Sequence, residues 1–350
     1  MKNNSPSYSR REFLKRTSQA ASGFVLLSSV PSFLRSGTLT GVPLFIERAF
    51  FTMGTTVTIS AYGESRNHIN HAVTKAFQAI RRCDNLMSLY KPESDLCRLN
   101  RSGGRETVCI DESVVEILHQ AKHFHDLSDG AFDVTIEPLM RLWGFRNEKE
   151  LPVRTPSDKE ILAAMDAVGF ENIFFEKENR MGLLHPDAQV DLGGIAVGYS
   201  VDAAANVLRR EGIESAFINH SGDAYALGAP PECEGWEIGI PNPLNTYELV
   251  SNFSVRDKAI STSGNYEKTV KIHGRPFGHI LDPRTGKPGD VTLSTTLIAD
   301  FAITADALST GMFCLDEDHQ AALVNRVRGV ELIRIKGDKA SPEISHWGKG

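Results

Sequence analysis

The pattern of apolar positions predicts a strand followed by a long helix at the start of the folded body. Residues 50 to 60 are rich in β-branched side chains and alternate between apolar and polar in their second half, which is typical of a strand. Gly54 permits a tight backbone approach next to Met53. From about Asn67 to Leu89 apolar residues recur at intervals of three and four, which predicts a helix.

Helix signals and turn signals alternate over the next hundred residues. Residues 91 to 110 contain Pro, Gly and Ser and are predicted to form a loop. Asp111 predicts the start of a second helix, which is expected to end near residues 128 to 130. The polar residues 147 to 158 predict a surface loop, and Ser157 with Glu160 three residues later predicts a capping box on the following helix.

Beyond Gly169 the pattern is dominated by short β-rich runs. Strands are predicted at 173–175, 189–190, 216–218, 236–240, 249–255 and 293–298. Two helices are expected among them, at about 196–210 and 304–314. Because strands and helices do not alternate regularly, the pattern predicts an α+β fold, with a single domain over residues 41–350.

The first forty residues differ from this body. Arg10 and Arg11 are followed by Phe13-Leu14 and by a weakly apolar run, 20–27, that is too short to span a bilayer. This pattern resembles a twin-arginine signal, so we expect residues 1–40 to be an export signal and linker read by the Tat translocon. The expected location is the periplasm or cell envelope. No clean Ala-x-Ala site follows, so cleavage and an uncleaved inner-membrane anchor both stay open, as does an arginine-rich start that stays in the cytosol.

Composition and charge narrow the possible partners. The chain is 41% hydrophobic and 23% charged, as expected for a globular protein. Residues 1–37 hold six of the 38 basic and one of the 44 acidic residues, which leaves the body with a net charge of −11. That charge disfavours a nucleic-acid partner. The five cysteines have no metal-ligand spacing, so no structural zinc site is predicted.

A glycine pair marks the first candidate site. Residues 190 to 199 read as a short strand that passes through Gly193-Gly194 into a helix. Glycines let a phosphate approach the backbone, and the amides at a helix start attract anions. The segment lacks the lysine of a Walker loop and the spacing of a Rossmann fingerprint, so packing of a helix against a strand is an equally open reading.

Two further segments carry candidate chemistry. Asp306 and Thr310 are four residues apart and share one helical face, which suits Mg²⁺; in the alternative, Thr304 caps the helix and Thr310 bonds back to it. In the segment 279–286, His279 is a candidate base, and Arg284 is expected either to face phosphate or to hold Asp282. The alternative there is an ordinary hairpin turn. Segments 130–135, at a helix end, and 260–266, rich in small hydroxyls around a glycine, are two smaller candidate elements, and the alternative for each is an ordinary polar loop.

Taken in order, these segments resemble the ApbE family, the FAD:protein FMN transferases. The resemblance runs from about Phe50 to Leu315. It rests on seven collinear pieces: Met53-Gly54-Thr55; Leu89-Tyr90 with the 94–100 loop; Gly130 to Asp133; Asp191 to Tyr199; Thr262-Ser263-Gly264; His279 to Gly286; and Ala305-Asp306 with Thr310.

The resemblance implies a single α+β domain with FAD in a deep cleft, and it implies roles for particular residues. The metal ion, Mg²⁺, would lie on Asp306, Thr310 and the backbone carbonyl of Gly194, and His279 would help to deprotonate the acceptor. Val197 occupies the position where the family commonly has a ligand-side lysine. The FAD cleft would be lined by Met53, Tyr90, Ala131, Phe132, Asp133, Asp191 and Ile280.

The implied reaction transfers FMN from FAD to a Thr or Ser hydroxyl of another protein and releases AMP. The implied acceptors are flavin-bearing subunits of membrane redox complexes. Besides Val197, the chain departs from the family pattern at Asn265 and at 221–223, where Ser-Gly-Asp preceded by His220 replaces Gly-Gly-Asp. These departures leave three alternatives: an FAD-binding or storage protein, an FAD pyrophosphatase, and a structural domain without a ligand.

Overall fold

The computed structural model describes residues 25–26, 43–146, 154–264, 269–272, 275–289, 292–338 and 341–348. The α-helices within these ranges are α1 (Arg66–Met87), α2 (Asp95–Ser102), α3 (Glu112–Leu127), α4 (Glu137–Leu142), α5 (Asp158–Met165), α6 (Ala196–Arg210), α7 (Ala302–Phe313) and α8 (Glu317–Arg326). A 3-10 helix covers Phe170–Asn172.

The strands within the same ranges are β1 (Val25–Leu26), β2 (Leu44–Thr52), β3 (Thr55–Gly63), β4 (Val108–Cys109), β5 (Ile173–Phe175), β6 (Arg180–Leu183), β7 (Ser215–His220), β8 (Asp223–Leu227), β9 (Trp236–Asn242), β10 (Asn245–Val255), β11 (Lys258–Gly264), β12 (Thr269–Ile272), β13 (Arg275–Gly278), β14 (Leu281–Asp282), β15 (Lys287–Pro288), β16 (Thr292–Ala299), β17 (Glu331–Asp338) and β18 (Ser341–Trp347).

One antiparallel sheet of eight strands organises the molecule, in the order β18-β17-β16-β11-β8-β7-β3-β2. Neighbouring residues of a strand point to opposite faces, so each face has its own core. On one face Ile218 joins the large cluster that includes α1, α6 and α7. On the other, Phe217 packs with Trp236 and Ile238 of the small β1-β9-β10 sheet. The helices therefore lie on one face of the central sheet.

The predicted strand at residues 50 to 60 is two strands. β2 and β3 pair from Leu44↔Gly63 to Thr52↔Thr55, and Met53 and Gly54 form the two-residue turn between them, with φ of 49° and 74°. Two successive positive φ values are typical of a type I′ hairpin turn. Met53 therefore lies at the tip of a hairpin, and the single-strand prediction was wrong because it missed this turn.

The predicted loop at 91 to 110 was also wrong, because α2 lies within it. The Ser94 side chain accepts from the amide of Cys97 at 3.0 Å, and Gly103 follows the helix with a φ of 44°. Leu96 and Leu99 face the core. A cap residue, two leucines three apart and a terminal glycine were the available signals.

Several other predictions are confirmed by the structure. The long helix appears as α1, Asp111 caps α3, and Ser157 with Glu160 forms the capping box of α5. The predicted helix at 196–210 is α6. The strand β11 was not predicted, and residues 260–264, for which an ordinary polar loop was the alternative, belong to it and lie between β8 and β16.

The C-terminal third differs most from the prediction. The helix α7 begins at Ala302, so Thr304 does not cap it; instead the Asp202 carboxylate of α6 accepts from the amides of Ala302 and Ile303 at 2.8 and 2.9 Å. The predicted strand at 189–190 is not formed, and the helix α8 was not predicted.

The predicted export signal, residues 1–40, lies outside the described residues except for Val25 and Leu26. These two residues pair with Gly239 and Ile238 of β9. Asn265 and residues 147–153 of the predicted surface loop also lie outside the described ranges. No described helix has both the length and the apolar character needed to cross a membrane.

A buried histidine makes the stability of the fold pH-dependent. His220 at the end of β7 is fully buried, and its Nδ1 lies 3.2 Å from the Ser200 hydroxyl. Burial lowers the pKa of His220 from 6.5 to about 4, although Asp84 and a backbone hydrogen bond with Thr52 oppose the shift. The folded protein therefore keeps this imidazole neutral where the unfolded chain would bind a proton.

As the pH falls below 6.5, protons bind to the imidazole of the unfolded chain before they bind to that of the folded protein. The free energy of unfolding therefore decreases, by about 3 kcal/mol in all as the pH reaches 4, and titration of His220 leaves it unchanged above pH 6.5. We expect the difference in unfolding free energy between the wild type and His220→Asn to be constant from pH 7 to 8.5 and to narrow by that amount down to pH 4. Urea unfolding at each pH measures it. A difference that does not change with pH would contradict a neutral buried His220.

Candidate active site

The contact between α6 and α7 places the predicted glycine motif beside the predicted metal ligand. The amide of Gly198 donates to Asp306 Oδ2 at 2.8 Å. A Cβ at residue 198 would lie 2.4 Å from the carbonyl oxygen of Ala302 and 2.7 Å from the Asp306 Cβ. Only glycine permits this approach, because both neighbours are part of a packed helix. Asp306 is thus held against the first turn of α6.

Asp306 is a buried carboxylate in an acidic surrounding. Asp306 is only 5% exposed to solvent. Burial, and the nearby carboxylates of Asp223 and Asp202, raise its pKa well above the ordinary value. A carboxylate in this position is stabilised by a proton or by a cation. The chemistry of the site therefore fits a bound positive ion.

Thr310, one helical turn after Asp306 in α7, lies next to Gly194. A Cβ on Gly194 would lie 3.3 Å from Thr310 Oγ1 and 3.4 Å from the Phe132 ring. The structure therefore brings together Thr310, Gly194 and Phe132, three residues from separate predicted segments. No trio of His, Cys, Asp or Glu side chains in the described ranges forms a metal cluster. A cation here would depend on hydroxyl, carbonyl and water oxygens besides one carboxylate, which suits Mg²⁺.

A layer of hydroxyls supports this part of α7. Ser309 Oγ lies 3.1 Å from Ser261 Oγ and 2.9 Å from Ser263 Oγ, and Ser263 Oγ lies 3.3 Å from Thr310 Oγ1. Thr295 donates to the carbonyl of Ser309 at 2.8 Å. β11 therefore contributes directly to the site. Sequence reasoning missed Ser309, although its place beside Thr310 was a usable signal.

Asp191 connects the glycine motif to the 131–135 segment. Its backbone amide donates to the Val134 carbonyl at 2.7 Å, and its Oδ1 accepts from the Gly193 amide at 2.8 Å. Its Oδ2 contacts the Arg146 guanidinium. The side chain predicted to face FAD thus also shapes the turn that enters α6.

The Asp133 carboxylate is engaged within the protein. Its Oδ1 accepts from the amide and hydroxyl of Thr135 at 2.7 and 2.6 Å, and its Oδ2 lies 3.1 Å from His125 Nδ1. The hydrogen bond to Asp133 raises the pKa of His125, although burial opposes the shift. The carboxylate therefore fixes the conformation of the segment that carries Ala131 and Phe132, both of which are buried.

The hairpin tip at Met53 is held by a partly buried ion pair. Thr52 Oγ1 and Lys91 Nζ both donate to Asp84 Oδ2, at 2.8 and 2.6 Å. Burial opposes ionisation of Asp84, but Lys91, Thr52 and the Met53 amide together lower its pKa. The neighbouring Tyr90 is 77% exposed, as an aromatic residue available for ligand stacking would be.

The turn after His279 is anchored to the C-terminal end of α7. Arg284 donates from Nε to Asp282 Oδ1 at 2.9 Å and from Nη2 to Asp282 Oδ2 at 2.8 Å. The same Nη2 lies 3.0 Å from the Cys314 carbonyl. Of the two predicted roles for Arg284, the structure shows that of holding Asp282. His279 is partly buried and Ile280 is buried at the start of this turn, whereas Val197 is partly buried in the first turn of α6.

The comparison with protein families agrees with this arrangement. The sequence model of the ApbE family matches residues 53–333, which is most of the chain. The chain belongs to the ApbE family. The match includes every residue that was assigned to the candidate site from the sequence.

Two curated relatives of this chain share one name. A Vibrio cholerae protein named FAD:protein FMN transferase is 30% identical over 297 residues, covering 84% of this chain and 88% of the relative. An Escherichia coli protein of the same name is 31% identical over 261 residues, covering 73% and 74%.

Solved structures confirm the α+β fold of the ApbE family. The ApbE protein of Thermotoga maritima is similar with a TM-score of 0.78 and 30% identity, covering 87% of this chain and 97% of that one. The flavin transferase ApbE of Vibrio cholerae is similar with a TM-score of 0.76 and 27% identity, over the same shares.

The close contact at Gly198 predicts that alanine at this position changes the unfolding free energy in the opposite direction to the one that helix propensity alone would give. Alanine in a helix interior is ordinarily favoured over glycine by up to about 1 kcal/mol. Here we expect Gly198→Ala to destabilise the fold by about 1–3 kcal/mol, because the methyl group overlaps α7. Urea unfolding measures the change. Asn206→Ala on the exposed side of α6 is the control, expected within about 0.5 kcal/mol of the wild type. A stabilised Gly198→Ala protein would refute the contact.

Proposed function

We propose that this protein is a magnesium-dependent FAD:protein FMN transferase that attaches FMN through a phosphoester bond to Thr or Ser and releases AMP. The observation that carries the proposal is the buried Asp306 carboxylate, held at the glycine-rich start of α6 beside Thr310 and Gly194. The names of the curated relatives support the same activity.

The ion would be held by Asp306, Thr310 and the carbonyl oxygen of Gly194. When bound, Mg²⁺ offsets negative charge on a diphosphate and on the departing phosphate oxygen. The nearby carboxylates of Asp223 and Asp202 strengthen the preference for a cation, since they make an isolated negative charge at Asp306 costly.

FAD would bind along the same face. The positive end of the α6 dipole lies at the Gly193-Gly194 turn, and this end of a helix favours an anion such as the diphosphate. Exposed Tyr90 suits a stacked ring of the dinucleotide. The residues proposed to line the cleft are Met53, Tyr90, Ala131, Phe132, Asp133, Asp191, Val197 and Ile280.

The proposed reaction exchanges one phosphorus–oxygen bond for another. The acceptor hydroxyl oxygen bonds to the phosphorus on the FMN side of FAD, and the bond from that phosphorus to the bridging oxygen breaks. AMP leaves with the bridging oxygen. His279 takes up the hydroxyl proton, a role that suits imidazole because its ordinary pKa is near neutrality. Arg284 acts on this step only by holding Asp282 and the turn.

The proposed acceptors are flavin-bearing subunits of membrane redox complexes outside the cytoplasm. This part of the proposal depends on residues 1–40 acting as a twin-arginine signal, with Arg10 and Arg11 recognised by the Tat translocon. The net negative charge of the body disfavours nucleic acid as the acceptor.

Removal of the buried carboxylate tests the cation site. We expect Asp306→Ala to lower Mg²⁺-dependent FMN transfer more than about 100-fold, because a bound metal contributes several kcal/mol to such a reaction. The assay is the mass gain of a Thr-containing acceptor incubated with FAD and Mg²⁺. Asp300→Ala, an exposed carboxylate just before α7, is the control and keeps wild-type transfer. Full Mg²⁺-dependent transfer by a folded Asp306→Ala protein would remove the metal assignment.

Removal of the proposed base separates binding from chemistry. We expect His279→Ala to bind FAD within about twofold of the wild type and to transfer FMN about 100-fold more slowly, as is typical for loss of a general base. Isothermal titration with FAD and the acceptor mass assay give the two numbers. Loss of FAD binding with an unchanged transfer rate at saturation would contradict this role. Free FMN formed by the wild type without an acceptor would instead indicate a pyrophosphatase.

A further inference from the structure

Arg146 bridges two carboxylates that belong to different parts of the chain. Its Nε donates to Glu137 Oε2 at 2.7 Å, and its Nη2 contacts Asp191 Oδ2. The side chains of Glu137, Asp191 and Arg146 are 1%, 14% and 20% exposed. This bridge was not among the sequence predictions, because 45 residues separate Arg146 from Asp191.

Glu137 serves as a fixed anchor for Arg146. Its other oxygen, Oε1, accepts from Arg141 Nε at 2.9 Å, so both carboxylate oxygens are engaged by guanidinium groups. A side chain that is only 1% exposed in a packed interior has little freedom to move, and the exposed Arg141 adds little to this restraint. Arg146 Nε and Nη2 both lie 2.7 Å from Glu137 Oε2, and Nη2 also contacts Asp191.

The second end of the bridge orients the Asp191 carboxylate. Arg146 holds Oδ2 while the Gly193 amide donates to Oδ1 at 2.8 Å. With both oxygens held, rotation of the carboxylate is restricted. The Asp191 carboxylate therefore connects two parts of the chain. It binds the Gly193-Gly194 turn that leads into α6, and through Arg146 it is linked to Glu137 of α4.

Arg146 also lies near the exposed aromatic residue of the proposed cleft. Burial opposes the charge on Arg146, but Asp191, Glu137 and the Tyr90 phenol together raise its pKa, so the guanidinium stays charged. A guanidinium that stays charged keeps its hold on both carboxylates at any physiological pH.

We infer that Arg146 is a positioning residue for FAD: anchored on Glu137, it fixes the Asp191 carboxylate and the Gly193-Gly194 turn in the geometry that receives the dinucleotide. This inference rests on the proposed function, since it takes FAD as the ligand of that turn. It assigns Arg146 an effect on the binding of FAD and leaves the chemical step to His279 and the cation site.

Arg141 supplies a matched control. It pairs with the same Glu137, is the same residue type, and is 59% exposed, but its described contact is with Glu137 and not with Asp191. Arg146→Gln is expected to weaken FAD binding by about 10- to 100-fold, the range typical of groups that orient a ligand-binding residue. Arg141→Gln is expected to bind FAD within about twofold of the wild type, because a partly solvated ion pair contributes little.

The readouts are the Kd for FAD by isothermal titration, and KM and kcat for FMN transfer. We expect Arg146→Gln to raise the KM for FAD while kcat at saturating FAD changes less than about threefold, and Arg146→Lys to recover part of the lost affinity, since one ammonium replaces a fork that spans two carboxylates. If Arg146 were only structural, Arg146→Gln would lower the free energy of unfolding and the fraction of active protein. The KM for FAD of the remaining active protein would then not change.

Equal FAD affinities for Arg146→Gln and Arg141→Gln would overturn the inference. If Arg146→Gln fails to fold, Arg146→Lys decides: wild-type affinity overturns the inference, and weakened affinity in a folded protein supports it. Measurements on the wild type distinguish failure of this inference from failure of the proposed function. If the wild type binds FAD but does not transfer FMN, the transferase proposal is wrong, and the comparison of Kd values still tests the role of Arg146.

Discussion

The contact between the first turn of α6 and the buried face of α7 is the constraint on which the rest of the site depends. Gly198 lets the two helices approach until its amide reaches the Asp306 carboxylate. The approach is reinforced one turn further along the same face of α6, where Asp202 accepts from the first amides of α7. Two aspartates thus exchange hydrogen bonds with the backbones of opposite helices. Their partners are amides, which hold them in place without neutralising them.

This arrangement concentrates negative charge where there is little water. Burial raises the pKa of Asp202 to about 6 and that of Asp306 well above its usual range. Such a group destabilises the fold when it is ionised and unpaired, and it gains most from a bound cation. The helices themselves are stabilised by the large core on one face of the central sheet, so the fold tolerates this cost at the site.

Elsewhere around the site, carboxylates are paired with basic side chains and act as positioning groups. Lys91 holds Asp84 beneath the Met53 turn, and Arg284 holds Asp282 after His279. In each pair, the carboxylate also accepts from a backbone amide or hydroxyl of its own turn. Arg146 and Asp191 repeat this arrangement at the Gly193 turn. The turns around the proposed cleft are therefore held by charged hydrogen bonds, whereas no basic side chain in the described part of the chain forms an ion pair with Asp306.

Local signals in the sequence determined the elements whose ends and faces are set by nearby residues. The periodicity of α1, the capping residues Asp111 and Ser157, and the glycine-led start of α6 could all be read because each depends on contacts within a few residues. The collinear order of the site segments was sufficient for the family. Short or mixed elements were misjudged, notably the Met53 hairpin and the strand β11, because a turn conformation and burial between two strands outweighed local composition.

Only the tertiary structure decided which charges meet. The partners of Asp306 are 83 and 108 residues away, at Asp223 and Gly198, and nothing in the local spacing of those residues indicates their contact. The same holds for Asp202 at the start of α7 and for Arg146 at Asp191. The sequence by itself determined the residue types, the helices and the family, since these follow from local periodicity and motif order. Long-range packing determined protonation, close approach and orientation, because these depend on distances that only the folded chain defines.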